Sequence, residues 1–441
     1  LWLASVVLQP MGNEAYRADL LSALLMAGAG ALLAVRVVMA TRRPALGLVA
    51  GAVFVLTPVA WHWGLRADPH ALHVFLAALL LVLLGAWQAR ERRSDGAGAR
   101  WLIAAAVVFG LSLGNHALTA LLAPGIAAFV LLVSPSILWR QWRLVLASAA
   151  VLLLTVVLVY LYLPLRSSLD PPLDYADPET WERFWYVVLG EQFTGSFGAL
   201  PPLAELLDRA WSELVLSLGA LVVLAVAGAV LGLFRHPRLT ILGLLWFGAT
   251  WLWAAGYPNA AIERYYLVPL LVAALAVALA ADAIWDALRD VLDRTGHVLA
   301  YRVATAGLVV ALLGLAIGPA VDRYDELDAS GDTRGRQVLE ATFRTLPPDA
   351  VVISWWSYST PLWYGQHVEG RRPDLTIIDD RDILDDGYDD VEGAIAAFLG
   401  ERPVYVIRLG RQVPMLAEDY LLRPVPDVPM EMYEVVAEGT D

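Results

Sequence analysis

The sequence predicts a mainly α-helical, polytopic membrane protein that carries a small α/β domain at its C-terminal end. Hydrophobic residues make up 59% of the 441 positions, whereas soluble domains contain about 45–50% apolar residues. Charged residues make up 17%, against a typical ~25%. Several apolar runs also approach or exceed the ~18–20 residues that cross a bilayer core. These observations exclude a single soluble globule.

Ten apolar segments are expected to cross the membrane as helices. They lie at residues 18–40, 45–64, 70–89, 101–114, 117–134, 143–163, 211–234, 239–255, 262–284 and 302–320. The two segments at 101–114 and 117–134 are short and separated only by Asn115 and His116, so they are interpreted as two abbreviated helices, with one long kinked segment as the alternative. Ten crossings place both ends of this membrane domain, residues 1–320, on the same side.

The remaining segment, residues 321–441, differs from the membrane domain in charge. It holds 11 of the 31 basic residues and 25 of the 44 acidic residues. A water-soluble acidic domain of this size is typical of a folded unit and is not expected to bind nucleic acid. Helix-like phrases at 333–346, 361–368 and 391–399 alternate with strand-like phrases at 350–354, 375–378 and 404–407, which favours a small α/β layer with parallel strands.

Residue usage also excludes several chemistries. The chain has no cysteine, and all of its basic residues are arginine. Disulfides, thiolate metal sites and cysteine nucleophiles are therefore excluded, as is catalysis through a lysine Schiff base.

Arginine placement predicts the orientation, because short loops rich in positive charge remain in the cytoplasm. Alternate loops carry Arg42 and Arg43, then Arg90, Arg92, Arg93 and Arg100, then Arg140 and Arg143, then Arg235 and Arg238, then Arg289, Arg294 and Arg302. These loops are predicted to be cytoplasmic. The long loop 164–210 and the acidic C-terminal domain are consequently predicted to face outward.

Polar residues of the membrane domain collect at the outward ends of the predicted helices. They are Arg66, Asp68, His70, His73, Asn115, His116, Arg166, Glu263, Arg264 and Tyr265. Ionisable residues at membrane depth are costly and usually functional, so the set predicts one outward-facing cavity. The alternative is that each residue is an interfacial anchor or a helix cap.

Two subsets of these residues have specific chemical possibilities. His70 and His73 are three apart, a spacing compatible with one metal site, but a third ligand is not evident nearby, so no metal site is predicted and hydrogen-bonding or interfacial roles are favoured. Arg264 suits an anionic lipid phosphate, because a guanidinium holds phosphate oxygens bidentately and stays charged in a poorly solvated groove. A structural ion pair between Arg264 and Glu263, or another carboxylate, is the alternative.

Five phrases, in order along almost the whole chain, resemble a bacterial membrane family once classed as a domain of unknown function and similar to protein O-mannosyltransferases of the GT-C glycosyltransferase superfamily. The phrases are AYRADLLSALLMAGAGALLAVRVV, WHWGLRADPHALHVFLAALLL, LSLGNHALTALLAPG, YLYLPLRSSLDPPLDYADPETWERFWYVVLGEQFTG and PPDAVVISWWSYSTPLWYGQHVEGRRPDLTII. The resemblance implies a GT-C-like enzyme of the bacterial inner membrane. It would move a sugar, mannose being the expected one, from a polyprenyl-phosphate donor to an exported protein or glycan, with a Ser or Thr hydroxyl as the expected acceptor. No cofactor is assigned, and dependence on a divalent metal stays open.

The resemblance also implies roles for particular residues. The family carries an acidic motif in its first outer loop that is not found here, so the sequence beginning at Leu1 is expected either to lack that loop or to have lost the usual base. Asp68 matches an acidic residue of the next outer motif, commonly Glu. Glycosyl transfer also needs a carboxylate base and a cation that stabilises the departing phosphate. Asp68 and Glu263 are therefore expected to act as base, and Arg66, Arg166, Arg264 and Tyr265 to bind the donor phosphate. The substrate groove is expected to be lined by His70, His73, Asn115, His116, Trp185 and Gln192, and the alternative for the outer loop that holds Trp185 and Gln192 is an amphipathic interfacial helix that serves only as an anchor.

Two other classes of protein remain compatible with the sequence. A lipid or sugar transporter would show paired repeats and ionisable residues near the bilayer midplane, whereas the charges here lie mainly at helix ends. A non-catalytic membrane subunit of a larger complex would keep the fold and lose the base. Recovery of the acidic loop upstream of Leu1 would favour the enzyme, and a genuine start near Leu1 would favour the subunit.

Overall fold

The computed structural model describes residues 7–91, 98–191, 200–257, 261–293, 296–385, 387–408, 410 and 412–436. The α-helices are α1 Glu14–Thr41, α2 Pro44–Val55, α3 Pro58–Gly64, α4 Pro69–Glu91, α5 Ala99–Asn115, α6 Ala123–Val133, α7 Ile137–Arg140, α8 Trp142–Tyr160, α9 Tyr162–Ser167, α10 Trp181–Leu189, α11 Leu203–Leu218, α12 Leu221–Arg235, α13 Pro237–Ala255, α14 Leu267–Leu288, α15 Val298–Asp322, α16 Tyr324–Leu327, α17 Arg334–Thr345, α18 Trp356–Trp363, α19 Asp380–Asp385, α20 Val391–Phe398 and α21 Val413–Asp419. The strands are β1 Val351–Ile353, β2 Thr376–Ile378, β3 Val404–Ile407, β4 Leu421–Pro424 and β5 Met432–Val436. Short 3₁₀ turns cover Ala117–Leu122 and Ile262–Tyr266, and π-helical turns cover Arg289–Asp293 and Tyr364–Val368.

The predicted polytopic helical fold is confirmed. Among the described residues, six helices are long and apolar enough to cross a membrane, and eight spans result if each of two bent helix pairs is taken as one. Two shorter apolar helices, Ala99–Asn115 and Ala117–Val133, correspond to the predicted abbreviated pair.

Two predicted spans are bent rather than straight. The span predicted at 45–64 consists of α2 and α3, which meet at 70°. Pro58 has no amide hydrogen with which to continue α2, and Thr57 instead caps α3 by accepting a hydrogen bond from the amide of Ala60 at 3.3 Å. The span predicted at 211–234 is broken between α11 and α12 by 117°, with Gly219 at φ +54° supplying the turn.

The chain forms two compact units. The first comprises residues 1–160 and 193–328, and the second comprises residues 161–192 and 329–441. Each is described separately below.

Helix α14 lies at the centre of the first unit. Every residue from Leu267 to Asp282 is buried, which matches its almost uninterrupted apolar sequence. Helix α12 packs against α14 through Gly228, where an added Cβ would stand 1.8 Å from the carbonyl oxygen of Ala276. Small residues that let backbones approach closely are typical of membrane helix pairs.

The second unit contains a five-stranded sheet with the order β2-β1-β3-β5-β4. Strands β2, β1 and β3 are parallel, with Val352 opposite both Ile377 and Tyr405. Strand β5 runs antiparallel to both β3 and β4. The predicted parallel strands are therefore present, and the antiparallel pair at the C-terminal end adds an edge that the sequence analysis did not identify.

Candidate active site

The connection between α3 and α4, residues 65–68, holds the most heavily bonded carboxylate of the predicted set. The Oδ1 atom of Asp68 accepts a hydrogen bond from the backbone amide of His70 at 2.8 Å and lies 2.7 Å from Nδ1 of the same residue. Its own amide donates to Oγ of Ser22 on α1 at 3.4 Å. The Asp68 side chain is only 7% exposed, so these contacts fix it in place at the start of α4.

Arg264 reaches the same carboxylate from the 3₁₀ turn before α14. Its Nη1 donates to Oδ2 of Asp68 at 3.2 Å. Its guanidinium carbon lies 5.3 Å from the centre of the Trp63 ring and 5.5 Å from that of Tyr265. Its Nε atom is buried and has no hydrogen-bond partner among the residues that the structure describes. One edge of the guanidinium is therefore occupied by Asp68, and the Nε edge has an unused donor.

Histidine and tyrosine rings form the wall beside this ion pair. The ring of His70 lies 4.5 Å from that of His116 and 4.8 Å from that of Tyr265. His73 is 5.8 Å from His116, and its Nδ1 lies 3.2 Å from the hydroxyl of Thr119. The Nε2 atoms of His70 and His73 are buried, and neither has a hydrogen-bond partner within the described ranges. Within the described ranges, no group of three or more His, Asp or Glu side chains is placed to hold a metal ion.

The charge state of Asp68 follows from its surroundings. Burial alone would raise the pKa of this carboxyl, but the hydrogen bonds from His70 and the positive charge of Arg264 hold its pKa below the ordinary value. Asp68 is therefore ionised at neutral pH. Because an ionised carboxylate only accepts hydrogen bonds, Nδ1 of His70 must donate to it.

Three other predicted residues lie around this centre. The side-chain amide of Asn115 donates to the carbonyl of Pro69 at 3.0 Å, which ties the end of α5 to the start of α4. Arg66 is exposed and lies within electrostatic range of Asp19 and His62. Glu263 interacts electrostatically with His62. Neither Arg66 nor Glu263 forms an ion pair in the described part of the chain.

Two predicted residues of the loop 164–210 belong to the second unit. Arg166 lies in the last turn of α9 and Trp185 lies in α10, both within the second unit. The Trp185 ring contacts those of Trp181 at 5.4 Å and Phe184 at 5.3 Å. Gln192 lies outside the described residues, as do Arg92, Arg93 and Arg294 of the predicted cytoplasmic loops.

Sequence reasoning did not identify all the residues that build the site. Asp19 on α1 accepts a hydrogen bond from the amide of Ala67 at 2.7 Å and so holds the α3–α4 connection. Trp63 covers the Arg264 guanidinium. Asp19 could have been identified from the sequence, because it is a carboxylate inside the apolar segment 18–40 and ionisable residues are rare in such segments. Nothing in the sequence distinguishes Trp63 from an aromatic anchor at the membrane interface.

Comparison with known proteins finds similarity over part of the chain. Residues 3–138 match the family model described as the N-terminal domain of protein O-mannosyl-transferase TMEM260. The mouse protein O-mannosyl-transferase TMEM260 is 32% identical over 179 residues, which cover 38% of this chain and 23% of the mouse protein. The matched stretch thus spans less than a quarter of that relative. Asp68, His70, His73, Asn115 and His116 all lie within residues 3–138.

Two solved structures share the fold over nearly the whole chain. The oligosaccharyltransferase of Archaeoglobus fulgidus, tethered with an acceptor peptide containing the NVT sequon, has a TM-score of 0.55 and 16% identity, covering 98% of this chain and 64% of that one. ArnT of Cupriavidus metallidurans in the apo state has a TM-score of 0.52 and 16% identity, covering 98% and 86%. At this identity the two structures show a shared fold, and the predicted GT-C-like fold is confirmed. The predicted resemblance to protein O-mannosyltransferases is confirmed by the family model and the mouse relative.

Proposed function

We propose that the chain is the membrane part of a glycosyltransferase that takes a sugar from a polyprenyl-phosphate carrier and attaches it outside the cytoplasm. The proposed sugar is mannose and the proposed acceptor a Ser or Thr hydroxyl of an exported protein, since the curated relative is named a protein O-mannosyl-transferase. The proposed location is the bacterial inner membrane, with the candidate site and the second unit on the outer side. Shared GT-C fold and membrane helices support this assignment.

The observation that carries the proposal is the joined pair of Asp68 and Arg264. Glycosyl transfer needs a carboxylate to accept the proton of the acceptor hydroxyl and a cation to stabilise the departing phosphate. Here a carboxylate held in its ionised form lies 3.2 Å from an arginine with an unused buried donor. Both groups belong to connections between membrane helices, which is where a lipid-linked donor would present its phosphate.

The two edges of the Arg264 guanidinium can bind different groups. Nη1 of Arg264 is bonded to Asp68, so Nε and Nη2 form the edge that can hold two phosphate oxygens, as arginine does in bidentate pairs. Trp63 and Tyr265 flank the guanidinium and limit its movement. Arg264 can therefore bind the carrier phosphate without releasing Asp68.

Asp68 would act on the acceptor. As the acceptor oxygen forms its bond to the anomeric carbon, its proton passes to Asp68, and the bond from that carbon to the carrier phosphate breaks with the electron pair leaving on the phosphate. His70 fixes one carboxylate oxygen with two contacts, and Oδ2 retains a second lone pair for the acceptor. Glu263 is the second candidate base, and Arg66 and Arg166 are the further candidate phosphate ligands.

The experiment measures transfer of radiolabelled mannose from undecaprenyl-phosphate mannose into the protein fraction of membranes that contain the full chain. Asp68→Asn should fold and bind donor but transfer about 10²–10⁴-fold more slowly, the range lost with a general base. Arg264→Gln should lose donor binding, and Arg264→Lys should restore it only in part because lysine lacks the fork geometry. Arg143→Gln, an exposed arginine on α8, is the matched control and should match the wild type.

Two results would contradict the assignment. Transfer by Asp68→Asn within about twofold of wild type would leave Asp68 a helix-end cap, because it falls well short of the general-base range. Unchanged donor affinity in Arg264→Gln would leave Arg264 a structural partner of Asp68. If the wild-type chain itself transfers no sugar, a non-catalytic GT-C-like subunit becomes the better interpretation.

A further inference from the structure

A polar cavity lies in the first unit, away from the candidate active site. It encloses about 660 Å³ between the ends of α1, α4, α12 and α13. Its ionisable lining residues are all basic: Arg36, Arg42, Arg235, His236 and Arg238. Within the described part of the chain, no acidic residue lines it. A pocket of this composition attracts an anion.

Arg36 is the feature that distinguishes the cavity from a solvated basic loop. Its side chain belongs to α1, the residue is 4% exposed, and its Nε is buried with no hydrogen-bond partner in the described part of the chain. Among the described residues it forms no ion pair. Arg36 lies five residues before Thr41, the end of α1, which places it about 8 Å inside the helix end. An unpaired cation at such a depth is costly and indicates a function.

The neighbouring helix is shaped to accept this guanidinium. An added Cβ on Gly85 of α4 would lie 3.0 Å from Nε and 3.2 Å from Cζ of Arg36. The lack of a side chain at Gly85 therefore gives the guanidinium its place against α4 at the edge of the cavity.

Two neighbouring arginines, Arg43 and Arg235, have carboxylate partners, which Arg36 lacks among the described residues. Arg43 is paired with Asp282 and Asp286, and Arg235 is paired with the same two residues. Asp282 also lies 3.6 Å from Nε2 of His236. This cluster balances the charge of Arg43 and Arg235, and it makes no contact with Arg36 or Arg42 among the described residues.

We infer that this cavity is a second anion site, which binds a phosphate group through Arg36, Arg42 and Arg238. Guanidinium groups hold phosphate oxygens in bidentate geometry, and a bound phosphate would neutralise the charge that α1 carries at depth. The phosphate can belong to the headgroup of an anionic membrane lipid or to free phosphate from solution. Arg42 belongs to a loop predicted to be cytoplasmic, so the site would open to the inner leaflet.

The site is separate from the candidate active site. Ser22, which contacts the amide of Asp68, and Arg36 are 14 residues apart on α1, a rise of about 21 Å. The two sites therefore lie near opposite ends of the same helix, and a bound phosphate at one cannot reach the other.

The test uses the full chain purified in a neutral detergent and stripped of lipid. Dioctanoyl phosphatidylglycerol, dioctanoyl phosphatidylcholine and inorganic phosphate are titrated separately while the thermal unfolding midpoint is followed. Wild type and Arg143→Gln, the control with an exposed arginine outside the cavity, should show a concentration-dependent rise of the midpoint with an anionic ligand. Protection by phosphatidylglycerol alone identifies a lipid headgroup, and equal protection by inorganic phosphate identifies free phosphate.

The variant Arg36→Met separates a ligand site from a structural role. It removes the unpaired charge, so its midpoint without ligand should be higher than that of wild type, and its affinity for the anion should fall about tenfold or more, as expected for a lost charge-assisted bond. A lower midpoint without ligand together with unchanged protection would overturn the inference, as would an absence of protection by either phosphate probe in wild type.

Arg42→Gln, which alters an exposed residue and leaves the buried packing intact, should weaken binding in the same way, and unchanged affinity in that variant would remove Arg42 from the site.

Discussion

The ion pair between Asp68 and Arg264 should contribute measurably to the stability of the membrane unit. Asp68 is 7% exposed and Arg264 20%, so water screens the pair little. A hydrogen bond between charged groups contributes about 1.5–3 kcal/mol, and contacting residues show coupling energies of about 0.5–3 kcal/mol. In an Asp68→Asn variant, His70 continues to bind the side chain at position 68, so the substitution affects mainly the contact with Arg264. We therefore expect a coupling energy between Asp68 and Arg264 of about 1–3 kcal/mol.

A double-mutant cycle measures this energy. The free energy of unfolding is compared for wild type, Asp68→Asn, Arg264→Gln and the double variant in one detergent. The exposed pair of Glu205 and Arg209 on α11, with side chains 48% and 52% exposed, provides the control cycle and should give about 0.3–0.5 kcal/mol. If both cycles give the same coupling energy, burial does not strengthen the Asp68 pair and the reasoning is refuted.

The pH dependence of the same variants provides an independent measurement. The pKa of Asp68 is lowered in the folded protein, so the stability it contributes is present above the ordinary carboxyl pKa and is lost as the pH falls through the lowered value. The difference in unfolding free energy between wild type and Asp68→Asn should therefore be constant near neutral pH and shrink below pH 3.8, the ordinary value. A difference that grows on acidification would contradict the assigned charge state.

Three further outcomes are expected. Gly228→Ala should destabilise the membrane unit by about 1–3 kcal/mol through overpacking, because the new Cβ would meet the carbonyl of Ala276 at 1.8 Å. The control is Gly307→Ala on α15, where no described atom lies within 4 Å of the added Cβ. It should be neutral or stabilising in the same unfolding assay. In the second unit, hydrogen bonds from arginine lower the pKa of Glu340 to about 2, so the unit should lose stability as the pH falls from 4.5 to about 2, and Glu340→Gln should show a smaller loss over that range when followed by circular dichroism. A cysteine introduced at Ser330, an exposed position, should react with an impermeant reagent in intact cells, and labelling only after lysis would contradict the outward orientation.

The sequence was sufficient for the class of protein and for most helices. Apolar runs report burial in lipid or protein wherever they occur, so the spans from 18–40 to 302–320 were identified without tertiary information. The bends within two of these spans were harder to predict from the sequence. Pro58 and Gly219 were visible in the sequence, but the 70° and 117° angles depend on what the flanking helices pack against. The antiparallel strands β4 and β5 were missed because each contains a charged residue, Arg423 and Glu434, and is only partly buried, so neither forms a continuous apolar run.

The candidate site was predictable as a set of residue types and not as a set of contacts. Polar residues at helix ends that were predicted to face outward indicated Asp68, His70, His116 and Arg264, and the structure brings these four together. The partner of Arg264 was left open between Glu263 and another carboxylate. Asp68, 196 residues away in the sequence, is the partner that the structure shows.

Composition and periodicity thus determined that the protein spans a membrane and where its ionisable residues cluster, because both depend on each residue's local preference for lipid or water. Tertiary structure alone decided which charges are neutralised. Arg36 and Arg43 stand seven residues apart near the same end of the chain's first helix, and no sequence pattern separates them. Helix packing places Arg43 beside Asp282 and Asp286 of α14 and leaves Arg36 buried at a cavity without an ion-pair partner among the described residues, because pairing depends on distances between helices that are remote in sequence.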